Sequence, residues 1–251
     1  MQSKLFSVEG KTICVTGASS GIGRAIATLL CKEGANVVSV ARRADALEQW
    51  QAETTGKTAI FSADLSNIDM LPDLAAEICK PFGPVDVLIN AAGLNTRQHA
   101  DSVTLTGWRD TLNINLNAPF FLAQSLVPMM KEKGWGRIIN FGSLQSRRAF
   151  ENGIAYGASK GGVDQLTRAM AEAWSKDGIT ANALAPGFFP TELTAPVFGN
   201  SELADKNAKQ TCIGRNGTMA DLDGPVLFLC SEASNYVTGQ MLYVDGGFTA
   251  K

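Results

Sequence analysis

The sequence predicts an α/β fold: a single doubly wound, parallel, seven-stranded sheet with helices on both faces. Three observations carry that expectation. Short β-branched runs alternate with longer helical stretches, the rhythm of parallel βαβ units. The short runs are almost continuously apolar, as strands are when helices cover both faces of a sheet. A glycine-rich turn joins the first run to the first helical stretch. The 251 residues hold no low-complexity linker and no internal repeat, so 1–251 reads as one domain.

Along the chain, the strands fall at 12–16, 36–41, 58–63, 85–90, 137–141, 180–185 and 241–244. The helices fall at 21–33, 44–54, 69–82, 106–133, 154–176 and 220–231. The alternation lapses once, from Pro186 to Thr218, which holds Pro186, Pro190, Pro196 and several glycines but no strand. A connection that long inside a compact domain is usually a binding loop or lid. Residues 186–218 are therefore read as a substrate loop, with a short helix near 201–210.

The turn Thr16-Gly17-Ala18-Ser19-Ser20-Gly21-Ile22-Gly23 lies between the first strand and the first helix. Glycines there permit a tight turn and a close backbone approach to a phosphate. The helix N-terminus adds free N–H groups and a partial positive charge. The spacing is G-x-x-x-G-x-G rather than the commoner G-x-G-x-x-G. In this setting it implies a dinucleotide on a Rossmann-like sheet. The second strand runs into Val40-Ala41-Arg42-Arg43, and the first acid, Asp45, is already in the next helix. An acid at that strand end would accept a bond from a ribose 2′-hydroxyl, whereas an arginine suits a 2′-phosphate. NADP(H) is expected in preference to NAD(H), with Arg42 as the main contact and Arg43 or Ser19 assisting. The competing reading is a pair of solvated arginines at a helix start.

Composition narrows the function further. A formal net charge of −2 implies no broad basic surface, so no nucleic-acid partner is expected. Residues 1–10 lack the apolar core of a secretory signal. No apolar run reaches the ~18 residues that span a bilayer. The five cysteines are odd in number and form no CxxC pair, which supports neither a zinc site nor a redox pair. These features together point to a reducing cytoplasm. His99 is the only histidine and has no partner at ligand spacing, so no metal site is expected.

The chemistry concentrates at Tyr156-Gly157-Ala158-Ser159-Lys160. On a helix, a phenol and an ammonium four positions apart share one face. A phenol is a poor proton donor at neutral pH, with a free pKa of ~10, and a nearby cation stabilises its phenolate. Ser143, thirteen residues before Tyr156 and just past the strand ending Asn140-Phe141, could hold a reacting oxygen beside them. That set suits proton transfer to or from a carbonyl oxygen.

These motifs jointly resemble the short-chain dehydrogenase/reductases over nearly the whole chain. The resemblance implies that residues 16–23 form the cofactor turn and that Asp64, with Leu65 beside it, meets adenine. Asn90-Ala91-Ala92-Gly93 resembles the family's NNAG motif, with Ala91 in place of the second Asn, and would lie along the cofactor. Asn115, Ser143, Tyr156 and Lys160 match the catalytic positions; Asn113 and Asn117 offer alternative registers to Asn115. Pro186-Gly187, Phe189, Thr191 and Leu193 would lie on the nicotinamide side. Residues 185–192, the Gly214-Arg215 turn and residues 240–247 resemble gluconate 5-dehydrogenases and related sugar-acid enzymes. Asn216-Gly217-Thr218-Met219 departs from that branch, which usually has aromatic-Gly-x-Pro there.

The resemblance implies hydride transfer between NADP(H) and a ketone or secondary alcohol on a sugar acid, ketose or polyol. Tyr156 would exchange the proton, Lys160 would stabilise the phenolate and hold the nicotinamide ribose, and Ser143 would bond the substrate oxygen. Asn115 would support the Lys160 side. Arg97, Gln145, Arg147, Arg148 and Phe188 are the substrate-side candidates, the arginines as clamps for a carboxylate. Phe188 and Phe189 read equally well as loop-anchoring core. Helices 106–133 and 154–176 carry surplus apolar surface, and the family's habit implies a homotetramer. Two other functions fit parts of the pattern. Gly17-Ala18-Ser19-Ser20-Gly21 matches the G-x-S-x-G elbow of a serine hydrolase, which would need His99 as its base. A non-enzymatic NADP sensor would share the fold.

Overall fold

The computed structural model describes residues 4–251. Its strands are β1 (Thr12–Thr16), β2 (Asn36–Ala41), β3 (Thr58–Ser62), β4 (Val87–Asn90), β5 (Gly136–Phe141), β6 (Ile179–Pro186) and β7 (Met241–Val244). Its α-helices are α1 (Gly21–Lys32), α2 (Ala44–Glu53), α3 (Leu71–Ile78), α4 (Leu105–Leu112), α5 (Ala118–Lys133), α6 (Ile154–Trp174), α7 (Ala195–Phe198), α8 (Ser201–Gln210) and α9 (Asp223–Cys230). The strands form one parallel sheet in the order β3-β2-β1-β4-β5-β6-β7. The order reverses between β1 and β4, which opens a crevice at the carboxyl ends of the strands.

Side chains alternate across the sheet with a period of two. Ile13 and Val15 of β1, Val87 and Ile89 of β4, and Ile139 of β5 pack with Leu30 of α1, Trp50 of α2 and Leu229 of α9. Cys14, Leu88 and Ile138 point the other way, to Ile78 of α3, Leu122 of α5 and Met170 of α6. Both faces are buried, and this explains the near-continuous apolar strands of the sequence.

Two of the expected helices are shortened or divided beside a proline. The stretch 69–82 yields only α3, preceded by a 3₁₀ turn at Ile68–Met70. Pro72 fits the first turn of α3, where its missing N–H costs nothing, and Pro81 bars extension past Cys79. The stretch 106–133 is not one α-helix. A π-helical turn at Asn113–Asn117 separates α4 from α5. Pro119 cannot donate the next α-helical hydrogen bond, and such wide turns occur where the ladder is interrupted. Asn117 Nδ2 donates to Asn113 Oδ1 at 2.9 Å across the turn.

The segment after β6 contains no strand. It carries a 3₁₀ turn at Glu192–Thr194, then α7 and α8, the latter capped by Asn200. Among the described residues, no helix is long and apolar enough to cross a membrane.

Candidate active site

A cavity of about 970 Å³ follows the carboxyl ends of β1 to β6. At one end lies the glycine-rich turn. Gly17 sits at φ +71°, and a Cβ there would come within 2.7 Å of the Ala92 backbone, so only glycine lets this turn lie against the end of β4. Thr16 Oγ1 reinforces the contact by accepting from Ala92 N at 3.2 Å. Ser20 is the N-cap of α1, yet its side chain makes no cap bond. The first-turn N–H groups of α1 are thus not capped by Ser20, whose hydroxyl donates instead to Glu192 Oε2 at 3.0 Å.

Gly17, Ser19, Ser20, Gly21, Ile22, Gly23, Arg42, Arg43, Asp64, Leu65, Ala91 and Gly93 line the dinucleotide end of the cavity. Asp64 accepts from Ser66 N at 3.0 Å, and that backbone bond is the main reason its carboxyl lies below the usual range. Arg42 makes no side-chain hydrogen bond among the described residues, whereas Arg43 donates through both terminal nitrogens to Glu192, each at 3.0 Å. Asn90 departs from expectation. Its side chain is buried and donates to Asn140 Oδ1 at 2.9 Å, bridging β4 to β5 instead of lining the cavity.

At the other end, β5 finishes at Phe141, and Ser143 caps a 3₁₀ turn at Leu144–Ser146, accepting from Gln145 N at 3.1 Å. Ser146 Oγ donates to Lys160 O at 2.8 Å and so ties this turn to α6. Tyr156, Ser159 and Lys160 lie within one turn of each other on α6, which brings Tyr156 and Lys160 to the cavity wall. Ser143 lies beside the Tyr156 hydroxyl, close enough to lower the phenol's pKa. Lys160 Nζ donates to Phe141 O at 2.6 Å and lies 5.7 Å from the centre of the Tyr156 ring.

The electrostatics correct the simple expectation of an acidic phenol. Burial raises the Tyr156 pKa, and the Ser143 hydroxyl and the Arg97 charge only partly offset it. Burial also pulls the Lys160 ammonium down to about 8. Both groups are poised away from their ordinary values by desolvation rather than by each other.

Asn115 is the asparagine of the π turn that faces inward. It is buried behind the cavity wall, where Oδ1 accepts from Leu94 N at 2.8 Å. Its Nδ2 donates to Leu94 O and to Ser159 Oγ, both at 2.9 Å. Ser159 Oγ donates in turn to Tyr156 O at 2.7 Å. Asn115 therefore reaches α6 through Ser159, a contact the sequence reading missed although Ser159 lies within the Tyr-to-Lys motif.

The substrate-side candidates Arg97, Gln145 and Phe188 line the cavity, and so do Pro186, Gly187, Phe189, Thr191 and Leu193, expected beside the nicotinamide. Arg97 adopts φ +50°, held by the Asn95 side chain, which accepts from Arg97 N at 3.1 Å. Its guanidinium donates to Leu193 O at 2.6 Å. Gln145 Oε1 is buried without a hydrogen-bond partner. Arg147 and Arg148 are not among the lining residues. Arg147 lies over the Tyr243 ring, and Arg148 stacks on Phe248 and donates to Phe248 O at 3.3 Å, so both turn towards the C-terminal segment. Phe188 packs edge-on to Phe150 and Phe248, and Phe150, unforeseen from sequence, also faces the cavity. His99 is exposed beside Asp101 and does not line the cavity, and Ser19 Oγ accepts from Arg43. The elbow-like sequence thus has no histidine base.

A crevice with an uncapped helix N-terminus at one end and a half-buried phenol beside a serine at the other fits a dinucleotide. A family model described as enoyl-(acyl carrier protein) reductase matches residues 17–249. The chain is 40% identical over 250 residues to gluconate 5-dehydrogenase of Gluconobacter oxydans, covering 98% of this chain and 97% of that protein. It is 38% identical over 251 residues to 2-dehydro-3-deoxy-D-gluconate 5-dehydrogenase of Bacillus subtilis, with 98% and 97% covered. The crystal structure of a gluconate 5-dehydrogenase from Burkholderia cenocepacia, in complex with NADP and tartrate, superposes with a TM-score of 0.91 at 33% identity, covering 99% of this chain and 98% of that one. The chain belongs to the short-chain dehydrogenase/reductase family.

Proposed function

We propose that this protein is an NADP(H)-dependent oxidoreductase that interconverts a secondary alcohol and a ketone on a sugar acid or a related ketose or polyol. The observation that carries this reading is that Tyr156, Ser143 and Lys160 line the same cavity as the glycine-rich turn and Arg42. When bound, the nicotinamide cofactor supplies or accepts the hydride. The residues from Gly17 to Gly23 would cradle its pyrophosphate, Arg42 its 2′-phosphate and Asp64 its adenine. Pro186, Gly187, Thr191 and Leu193 would border its nicotinamide.

Tyr156 gives its proton to the carbonyl oxygen during reduction and takes it back from the alcohol in reverse. Ser143 donates to the same oxygen and holds it within reach of the phenol. Lys160, as an ammonium, stabilises the phenolate left by the transfer. Asn115 orients this end of α6 through Ser159. On the substrate side, Arg97 offers a charged fork to a carboxylate, Gln145 an unpartnered carbonyl to a hydroxyl, and Phe188 an apolar wall. The names of the relatives, gluconate enzymes, support an acid substrate.

A homotetramer in the cytoplasm is part of the same proposal. What supports the assembly is apolar surface on three helices, where Leu105, Phe121 and Ile154 are exposed. A coupled absorbance screen with NADPH and NADH tests the activity, run across keto acids, ketoses, polyols and simple ketones. Turnover favouring NADPH and carboxylated substrates is expected. A strong preference for NADH, or no turnover on any carbonyl, contradicts it.

A further inference from the structure

Two arginines on opposite sides of the groove hold the same short turn. From the dinucleotide side, Arg43 forms a two-pronged pair with the Glu192 carboxylate, Nη1 to Oε1 and Nη2 to Oε2, both at 3.0 Å. Ser20, at the head of α1, donates to that carboxylate at 3.0 Å. From the substrate side, Arg97 donates to the carbonyl of the next residue, Leu193, at 2.6 Å. The turn is stiff in itself. Thr191 and Thr194 cap it reciprocally, and Thr191 packs on Gly21, where a Cβ would lie 3.2 Å from the Thr191 side chain. Glu192 and Arg43 also line a shallower second pocket together with Arg24, Pro190 and Phe198, so their bridge forms the wall between that pocket and the main groove.

We propose that Glu192 and Arg43 form a clasp that straps the 190–194 segment across the dinucleotide groove and so controls how fast cofactor leaves it. The inference rests on the dinucleotide reading above. It divides the labour of two adjacent arginines. Arg42 lines the groove with no side-chain hydrogen bond among the described residues, and it reads the 2′-phosphate. Arg43 spends its fork on Glu192 and on Ser19 Oγ, 3.3 Å from Nη2, and acts as a positioning residue for either nucleotide. The clasp side chains are 47% and 65% exposed, so it is a weak latch that opens readily. The paired, planar geometry and the third bond from Ser20 set it above a lone surface ion pair.

The test is stopped-flow release of NADPH and of NADH from the full-length protein, wild type against Glu192→Gln, Arg43→Ala, the double variant and Arg42→Ala. The clasp predicts that Glu192→Gln and Arg43→Ala each speed release of both nucleotides by a similar factor, about fivefold. The double variant is then no faster than either single one. Arg42→Ala weakens NADPH selectively and leaves NADH unchanged. Tighter NADPH binding in Glu192→Gln alone would make the carboxylate a competitor of the phosphate and overturn the clasp. Selective loss of NADPH in Arg43→Ala, or release rates equal to wild type, overturns it as well. If the wild type binds neither nucleotide, the clasp and the proposed function fall together. Binding with unchanged release removes the clasp alone.

Discussion

At the scale of single residues, the site is governed by what burial does to Tyr156 and Lys160. A buried ammonium with a pKa near 8 remains charged at neutral pH but loses its proton not far above it. The phenol moves the opposite way, so it stays protonated through the same interval. Carbonyl reduction needs both a protonated phenol and a positive charge beside the phenolate that forms. Below about pH 8 both conditions hold, and above it the second fails. A pH profile of kcat/KM for ketone reduction is therefore expected to be flat at neutral pH and to fall with a midpoint near 8; a profile flat to pH 10 would show that the Lys160 charge is not used. Predicted site residues that do not line the cavity share one feature, a side chain whose direction is set by a distant partner. Asn90 turns to Asn140, fifty positions on, and Arg148 to Phe248, a hundred on. Glu192 escaped notice because its partner Arg43 is 149 positions away.

At the scale of elements, the strands were readable because a parallel sheet covered on both faces demands apolar runs, and β1, β2 and β7 begin and end where their runs do. The helices were less readable where prolines intervened. Pro119 turns an apparently continuous helix into two with a π turn between them, and that turn alone sends Asn115 inward instead of Asn113 or Asn117. Within residues 216–219, Gly217 is the position that keeps the sugar-acid pattern, and its packing gives a structural reason. Gly217 packs so tightly on Phe189 that a Cβ would lie 2.6 Å from the ring, and its N–H donates to Phe188 O at 2.9 Å. The glycine thus anchors the loop that carries both phenylalanines of the site. Gly217→Val is expected to cost about 1–3 kcal/mol through overpacking, read as a lower Tm together with a raised KM. An unchanged Tm would mean that Phe189 moves aside freely.

At the scale of the whole molecule, one crevice joins two parts that the sequence keeps far apart, the glycine-rich turn after β1 and the Tyr156–Lys160 pair on α6. The fold brings them together because the strand order reverses beside β1. The same packing absorbs part of the apolar surplus expected to drive assembly. Leu122 and Leu126 are buried in the core and Phe120 stacks on Trp174, which leaves Leu105, Phe121 and Ile154 outward. Light scattering is expected to give four times the mass of one chain, and a stable monomer would contradict the tetramer. The central claim is that Tyr156 moves the proton in a nicotinamide-dependent reaction, and Tyr156→Phe tests it most directly, with NADPH affinity and ketone turnover measured on the same preparation. The account predicts unchanged NADPH affinity and turnover reduced by at least about 10²-fold; a Phe variant that binds NADPH and still turns over within a few-fold of wild type would contradict it.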